Sequence, residues 1–180
     1  ARVSLSWKAP FGADSSTVKR ATASGGPYDV LVSGLASAEY LDLTAANGTG
    51  YFYIVVAQNG AGESPPSNEA SATPEATPAA PAAFMASPGN NLVTLSWTAS
   101  AGARTYTLKR AATESGPFEV LAERVLETAN TDRTALNGSL YFYVVSAVNF
   151  GGTSPDSAPA SATPVPPPPA PVLSAAAGDA

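Results

Sequence analysis

The residues of this chain that could do chemistry are carboxylates and little else. Cysteine and histidine are both absent from its 180 residues. That removes thiolate nucleophiles, disulfides, Cys- or His-ligated metals and the commonest general base. Asp14, Asp29, Glu119, Glu123, Glu127 and Asp132 remain as possible acid–base partners, the chemistry a paired-carboxylate hydrolase needs. No pair of them recurs in a motif that would build a constrained pocket, and Asp29 and Glu119 each simply precede a strand valine. Glu114, Glu119, Glu123 and Glu127 are spaced too widely and irregularly for a Ca²⁺ loop, which wants several oxygens at close, set intervals. These acids are expected to be solvated surface charge. The chain is expected to be no enzyme and to carry no metal or cofactor.

The cations narrow the partners. Nine Lys and Arg stand against 14 Asp and Glu, a net charge of −5. Nucleic acid and anionic membrane surfaces are bound by clustered Lys and Arg, so neither is an expected partner. The only recurrent basic pairs, Lys19-Arg20 and Lys109-Arg110, are expected to be a solvated strand face. Residues 134–155 are free of charge, but their apolar stretch, Leu140–Val145, is short; a spanning helix needs about 20 mostly apolar residues. No membrane insertion is expected. The chain starts at Ala1 without Met and without a basic-then-apolar leader, the mark of a processed or excerpted sequence.

The elements that must position these groups come in two copies. Sliding the chain by 90 positions lays residues 1–74 on 91–164 without a gap, and 35 of the 74 pairs are identical. Val3-Ser-Leu-Ser-Trp7 falls on Val93-Thr-Leu-Ser-Trp97, and Tyr51-Phe-Tyr53 on Tyr141-Phe-Tyr143. Such a period is too long for a solenoid repeat and suits a complete small domain. The expected organisation is a domain over 1–74 that lacks its first strand, a linker at 75–81, and a complete domain over 82–164. A Pro-rich linker follows at 165–171. Residues 172–180 then read as the first strand of a further copy, or as a donor strand for another chain. Consecutive prolines favour the extended polyproline II helix, so the linkers are expected to act as spacers.

Within each copy the apolar period is two. Val93, Leu95 and Trp97 alternate with Thr94, Ser96 and Thr98, the pattern of a half-buried strand. Tyr106 and Leu108 alternate with Thr and Lys, and Tyr141, Tyr143, Val145 and Ala147 form one face of a late strand. Gly, Pro, Asn and Ser punctuate the chain at intervals that suit an antiparallel sandwich of about seven strands per copy.

These residues resemble the fibronectin type III module. The likeness rests on Leu95-Ser-Trp97, Tyr106-Thr-Leu108, and Tyr141-Phe-Tyr-Val-Val-Ser-Ala-Val-Asn149 followed by Gly152 and Ser154. It is nearest in wording to modules strung through secreted bacterial polysaccharide-degrading or surface proteins. It implies tandem immunoglobulin-like sandwiches, a Trp packed between the sheets, and a tyrosine corner at Tyr51 and Tyr141. Copy one departs from the pattern where Ser16 replaces the counterpart of Tyr106, so its core is expected to be the weaker.

Four surfaces are candidate sites. Phe52, Ile54 and Val56, with Phe142 and Val144, are apolar on the outward face of the late strand. They are either shielded by long neighbours such as Lys19 and Lys109 or form a packing or binding surface. Tyr28 and Phe118 are candidate platforms for a sugar, both Trp residues being expected in the core. Asn47 and Asn137 each open an Asn-Gly-[Thr/Ser] run that fits both a turn and a glycosylation acceptor. Val172, Leu173, Ser174, Ala175 and Ala176 are the candidate donor strand. The expected role is a non-catalytic spacer module of a secreted or cell-surface protein, with neighbouring modules as partners. The alternatives are a self-assembling extracellular filament subunit and a module that binds a polysaccharide or another protein.

Overall fold

The computed structural model describes residues 1–175. The chain divides into two compact units, Ala1–Thr77 with Asn149–Gly152, and Pro78–Val148 with Thr153–Ala180. All regular structure among the described residues is antiparallel strand. Each unit is a sandwich of two sheets, as the alternating pattern predicts.

In the first unit β1 (Val3–Ser6) pairs with β4 (Glu39–Asp42) alone. The facing sheet runs β3 (Asp29–Leu35), β2 (Ser15–Ala21), β5 (Tyr51–Asn59), β6 (Gly62–Glu63), with β7 (Ala70–Ala72) also on β5. In the second unit β8 (Ala82–Gly89), β9 (Leu92–Thr98) and β12 (Ala129–Asp132) form one sheet, with β9 central. The other sheet runs β11 (Glu119–Val125), β10 (Thr105–Ala111), β13 (Tyr141–Asn149), β14 (Gly152–Thr153), with β15 (Ala160–Ala162) also on β13. Thus β9 has a neighbour on each side where its counterpart β1 has one.

The core follows from the pleat. Along β9, Val93, Leu95 and Trp97 are buried and the residues between them are exposed. They meet Tyr106, Leu108, Tyr143, Val145 and Ala147 from the facing sheet. In the first unit the buried cluster is Val3, Val18, Ala45, Tyr51 and Tyr53. Two turns need glycine. At Gly26 and Gly116 φ is +90° and +84°, a region that L side chains rarely adopt. A Cβ on Gly26 would also come within 2.8 Å of the Tyr28 ring.

Candidate functional site

The most ordered polar arrangement in each unit was not singled out from sequence. Asp42 closes β4 and is fully buried. Its Oδ2 accepts from Arg20 Nη1 at 2.7 Å and from the Tyr53 hydroxyl at 3.0 Å. Its Oδ1 accepts from the Thr44 N–H and hydroxyl, both at 2.8 Å. Arg20 Nη1 also donates to Thr44 Oγ1 at 2.9 Å, and its Cζ lies 4.6 Å from the centre of the Tyr51 ring. The second unit repeats the network. Asp132 accepts from Arg110 at 2.8 Å, Tyr143 at 3.0 Å, and the Thr134 N–H and hydroxyl at 2.9 and 2.7 Å. Arg110 lies 4.8 Å from the Tyr141 ring centre.

Two sequence expectations are corrected here. Asp132 is not solvated surface charge but is 2% exposed. Arg20 and Arg110 are not free members of a basic face, since each is the ion-pair partner of a buried carboxylate. The physical reason is the strand geometry: Arg20 on β2 and Tyr53 on β5 reach across the sandwich to the end of β4, so one carboxylate ties both sheets together. A buried carboxylate is tolerable only when paired and fully hydrogen-bonded. The signal was present in the sequence as Asp-x-Thr at 42–44 and 132–134, repeated with Arg20/Arg110 and Tyr53/Tyr143 at the same 90-residue offset.

The electrostatics hold these groups away from neutral titration. Burial alone would raise the Asp42 carboxyl, but the bonds from Thr44, Arg20 and Tyr53 outweigh it and hold it below the usual carboxylate value. Asp132 behaves alike with Thr134, Arg110 and Tyr143. Burial, then the neighbouring carboxylate, pushes the Tyr53 and Tyr143 phenols far above their ordinary value. For the two arginines, the partner carboxylate overcomes the lowering effect of burial. A general acid or base works best with a pKa near the operating pH, and these four acids are shifted the other way.

The two late-strand tyrosines form the corner that the resemblance implies. The Tyr51 hydroxyl accepts from the Ala46 N–H at 3.0 Å, and the Tyr141 hydroxyl from the Leu136 N–H at 3.3 Å.

The outward face of the late strands is partly buried. Val56 and Val144 are 4% and 3% exposed, and Phe52, Ile54 and Phe142 are half-buried. In the first unit a polar chain lies over this face. Thr17 Oγ1 donates to Gln58 Oε1 at 3.3 Å, Gln58 Nε2 to Glu63 Oε1 at 3.1 Å, and Lys19 Nζ to Glu63 Oε2 at 3.2 Å. In the second, Lys109 Nζ bridges both carboxylate oxygens of Asp156 at 2.8 and 3.0 Å.

The remaining candidates differ in their local surroundings. Tyr28 is half-buried and its hydroxyl is bonded to Glu69, which also accepts from Ser24 and the Gly25 N–H. Phe118 is half-buried at the matching position of the second unit. Asn47 is exposed beside Gly48, whose φ is +79°. Asn137 is tied down instead: its Oδ1 accepts from the Asn91 N–H at 2.9 Å and its Nδ2 donates to Asn90 at 2.8 Å. Residues 172–175 are exposed and in no strand, and Ala176 lies outside the described residues.

The two tryptophans differ, against the expectation that both are core residues. Trp97 is 6% exposed and packs on Tyr106 at 5.2 Å and Phe84 at 6.2 Å. Trp7 is half-buried and borders a cleft of about 300 Å³ that also includes Ser16, Val55, Ala57, Ser64 and Pro65. Its Nε1 donates to Ser16 Oγ at 3.2 Å.

No protein-family model matches the chain. Over 92 residues, 49% of its length, it is 37% identical to an amylopullulanase of Thermoanaerobacterium thermosulfurigenes. That stretch is 5% of the relative's length. Among solved structures, the FN1–FN3 domains of chicken CNTN1 match 92% of this chain at a TM-score of 0.67 and 16% identity, with 63% of that chain covered. A Fn3-like protein from Clostridium thermocellum is 32% identical, with a TM-score of 0.45, and matches 53% of this chain and 100% of its own.

Proposed function

Because the chain folds as a tandem of fibronectin type III modules, we propose that it is a non-catalytic accessory segment of a larger secreted or surface protein that acts on polysaccharide. The observation that carries this reading is the use made of the recurrent ionisable groups. Asp42, Asp132, Arg20, Arg110, Tyr53 and Tyr143 are consumed in bonds that join the two sheets, in protonation states that suit structure and not proton transfer. The link to polysaccharide comes from the amylopullulanase stretch. Its neighbours in such a protein are further modules of the same chain, and its place is extracellular.

The test is incubation of the purified tandem with pullulan and with starch. No release of reducing ends and no retention on insoluble starch is the expected result. Turnover overturns the reading. Retention that Phe142→Ser abolishes converts it to a glycan-binding role for the Phe52 and Phe142 face.

A second reading has one observation of its own. Among the described residues β1 pairs with β4 alone where β9 also pairs with β8, and Val172–Ser174 are exposed with an apolar start resembling β8. In this reading the segment from Val172 to Ala176 adds to β1 of another copy by strand addition, and head-to-tail repetition builds a filament. Light scattering decides it. Concentration-dependent polymers that vanish on truncation after Pro171 support it, and monomers at all concentrations sink it.

A further inference from the structure

We propose that each unit carries a shallow binding site for one ring of a neutral sugar, in the cleft between the end of β2 or β10 and the turn that follows it. The inference deepens the accessory role above and rests on it only for which sugar is used. The cleft recurs. In the first unit it has a volume of about 260 Å³, and Arg20, Ala21, Gly26, Pro27 and Asp29 are among its walls. In the second it has about 330 Å³, with the counterparts Arg110, Ala111, Gly116, Pro117 and Glu119 in the same places. The two surroundings are alike. Each cleft is built from strands that both units possess, β2 with β3 and β10 with β11. Residues 21–31 and 111–121 are buried, half-buried and exposed in the same order throughout.

Strand register sets the chemistry of the walls. Arg20 lies directly opposite Asp29 across β2 and β3, and Arg110 opposite Glu119 across β10 and β11, so each pair shares one face of its sheet. The arginines nevertheless form their ion pairs elsewhere, with Asp42 and Asp132. Asp29 and Glu119 are exposed, and their carboxylates have no hydrogen bond or ion pair among the described residues. In each arginine Nη1 is engaged by the buried carboxylate and a threonine. A guanidinium has further N–H groups at Nε and Nη2, and 25% and 29% of the two side-chain surfaces stay open. The cleft therefore sets N–H donors beside a carboxylate acceptor. A cation is opposed by the guanidinium and an anion by the carboxylate, so charge of either sign meets one unfavourable wall. A neutral ligand with hydroxyls suits both walls, because a hydroxyl can donate to the carboxylate and accept from the guanidinium. Ala21 and Pro27, or Ala111 and Pro117, offer apolar surface to the C–H groups of a ring. Small-molecule sites begin at about 300 Å³, which limits the ligand to one ring.

The test is a titration of the unaltered chain with methyl α-D-glucopyranoside, followed through the backbone amide resonances. Saturable shifts at Thr22, Ala23 and Val30, and at Ala112, Thr113 and Val120, are the expected result, with dissociation constants on the order of 10 mM. Sites this weak leave the chain unretained on washed starch, because a short flexible linker supplies an effective concentration of only about 1 mM. Asp29→Ala removes a side chain that makes no bond, so the fold is kept. It should weaken binding in the first unit about threefold or more and leave the second unit unchanged, and Glu119→Ala should do the reverse. Shifts that never saturate, or affinities that neither variant changes, overturn the proposal. So does a saturable response of the same amides to ammonium or acetate without one to the sugar. Turnover of pullulan would overturn the accessory role and leave these sites standing, whereas a lack of sugar binding would remove the sites and leave that role.

Discussion

The two units share a fold and a buried Arg–Asp–Tyr network, yet they treat their tryptophans differently. Trp97 is enclosed by Phe84 from β8 and Tyr106 from β10. At Trp7 the counterpart of Tyr106 is Ser16, and among the described residues β1 pairs with β4 alone. There is a polar counterpart to this difference. Trp7 Nε1 has a partner in Ser16, whereas buried Trp97 Nε1 has none. The second unit gives up one hydrogen bond and gains a closed aromatic cluster. The first keeps the bond and leaves its tryptophan partly wet. The two units thus differ in aromatic packing around their tryptophans and share the same partners in the charge network.

Residue-resolved amide exchange, which reports each unit separately, can break or sharpen that contrast. The largest effect is expected for Trp97→Ala, which should destabilise the second unit by about 3–5 kcal/mol. Trp7→Ala should cost the first unit roughly half as much, because less of its surface leaves water on folding. Equal losses would mean that the half-burial of Trp7 has no energetic content.

Asp132→Asn and Asp42→Asn should each cost about 2–3 kcal/mol, and should cost the two units alike. Removing one partner of a buried pair leaves the other uncompensated, but Arg110 and Arg20 keep 29% and 25% of their side-chain surface exposed, which softens the loss. The same carboxylates set the acid response. Their folded pKa values lie below the ordinary carboxylate value. Their contribution is therefore fully present above about pH 4 and is lost as the pH falls through the folded pKa. Urea unfolding between pH 2 and 5 should show this slope in both units and a flatter one in each Asn variant. An unchanged slope would show that the network is not what titrates.

Smaller effects separate the units again. Ser146 is fully buried with an unpartnered hydroxyl, and its counterpart is Val56. Ser146→Val should stabilise the second unit by about 1 kcal/mol, since an unmet buried polar group costs about 1–3 kcal/mol. The mildest contrast is at the irregularity shared by β3 and β11. Arg124 has φ of +55° where Gly34 has +72°. Arg124→Gly should be worth about 0.5 kcal/mol or be neutral, the relief of a strained φ being offset by the greater freedom of glycine in the unfolded chain. A loss above about 1 kcal/mol would mean that the Arg124 side chain contributes packing.

The sequence by itself determined what local rules can carry. Period-two alternation in Val93-Thr-Leu-Ser-Trp97 named the buried face of β9, and the 90-residue offset made each unit a check on the other. The absence of Cys and His removed whole classes of chemistry before any geometry was known. Tertiary structure alone decided which polar groups are inside. Asp132 and Glu127 are both acids near the same strand in the sequence, but only Asp132 sits where β10 and β13 deliver an arginine and a tyrosine to one point. Likewise Val56 looks exposed by strand parity yet is 4% exposed, on a face where Gln58 of β5, Lys19 of β2 and Glu63 of β6 are hydrogen-bonded together. Burial and protonation depend on partners that are distant along the chain, and a pattern of nearest neighbours holds no record of them.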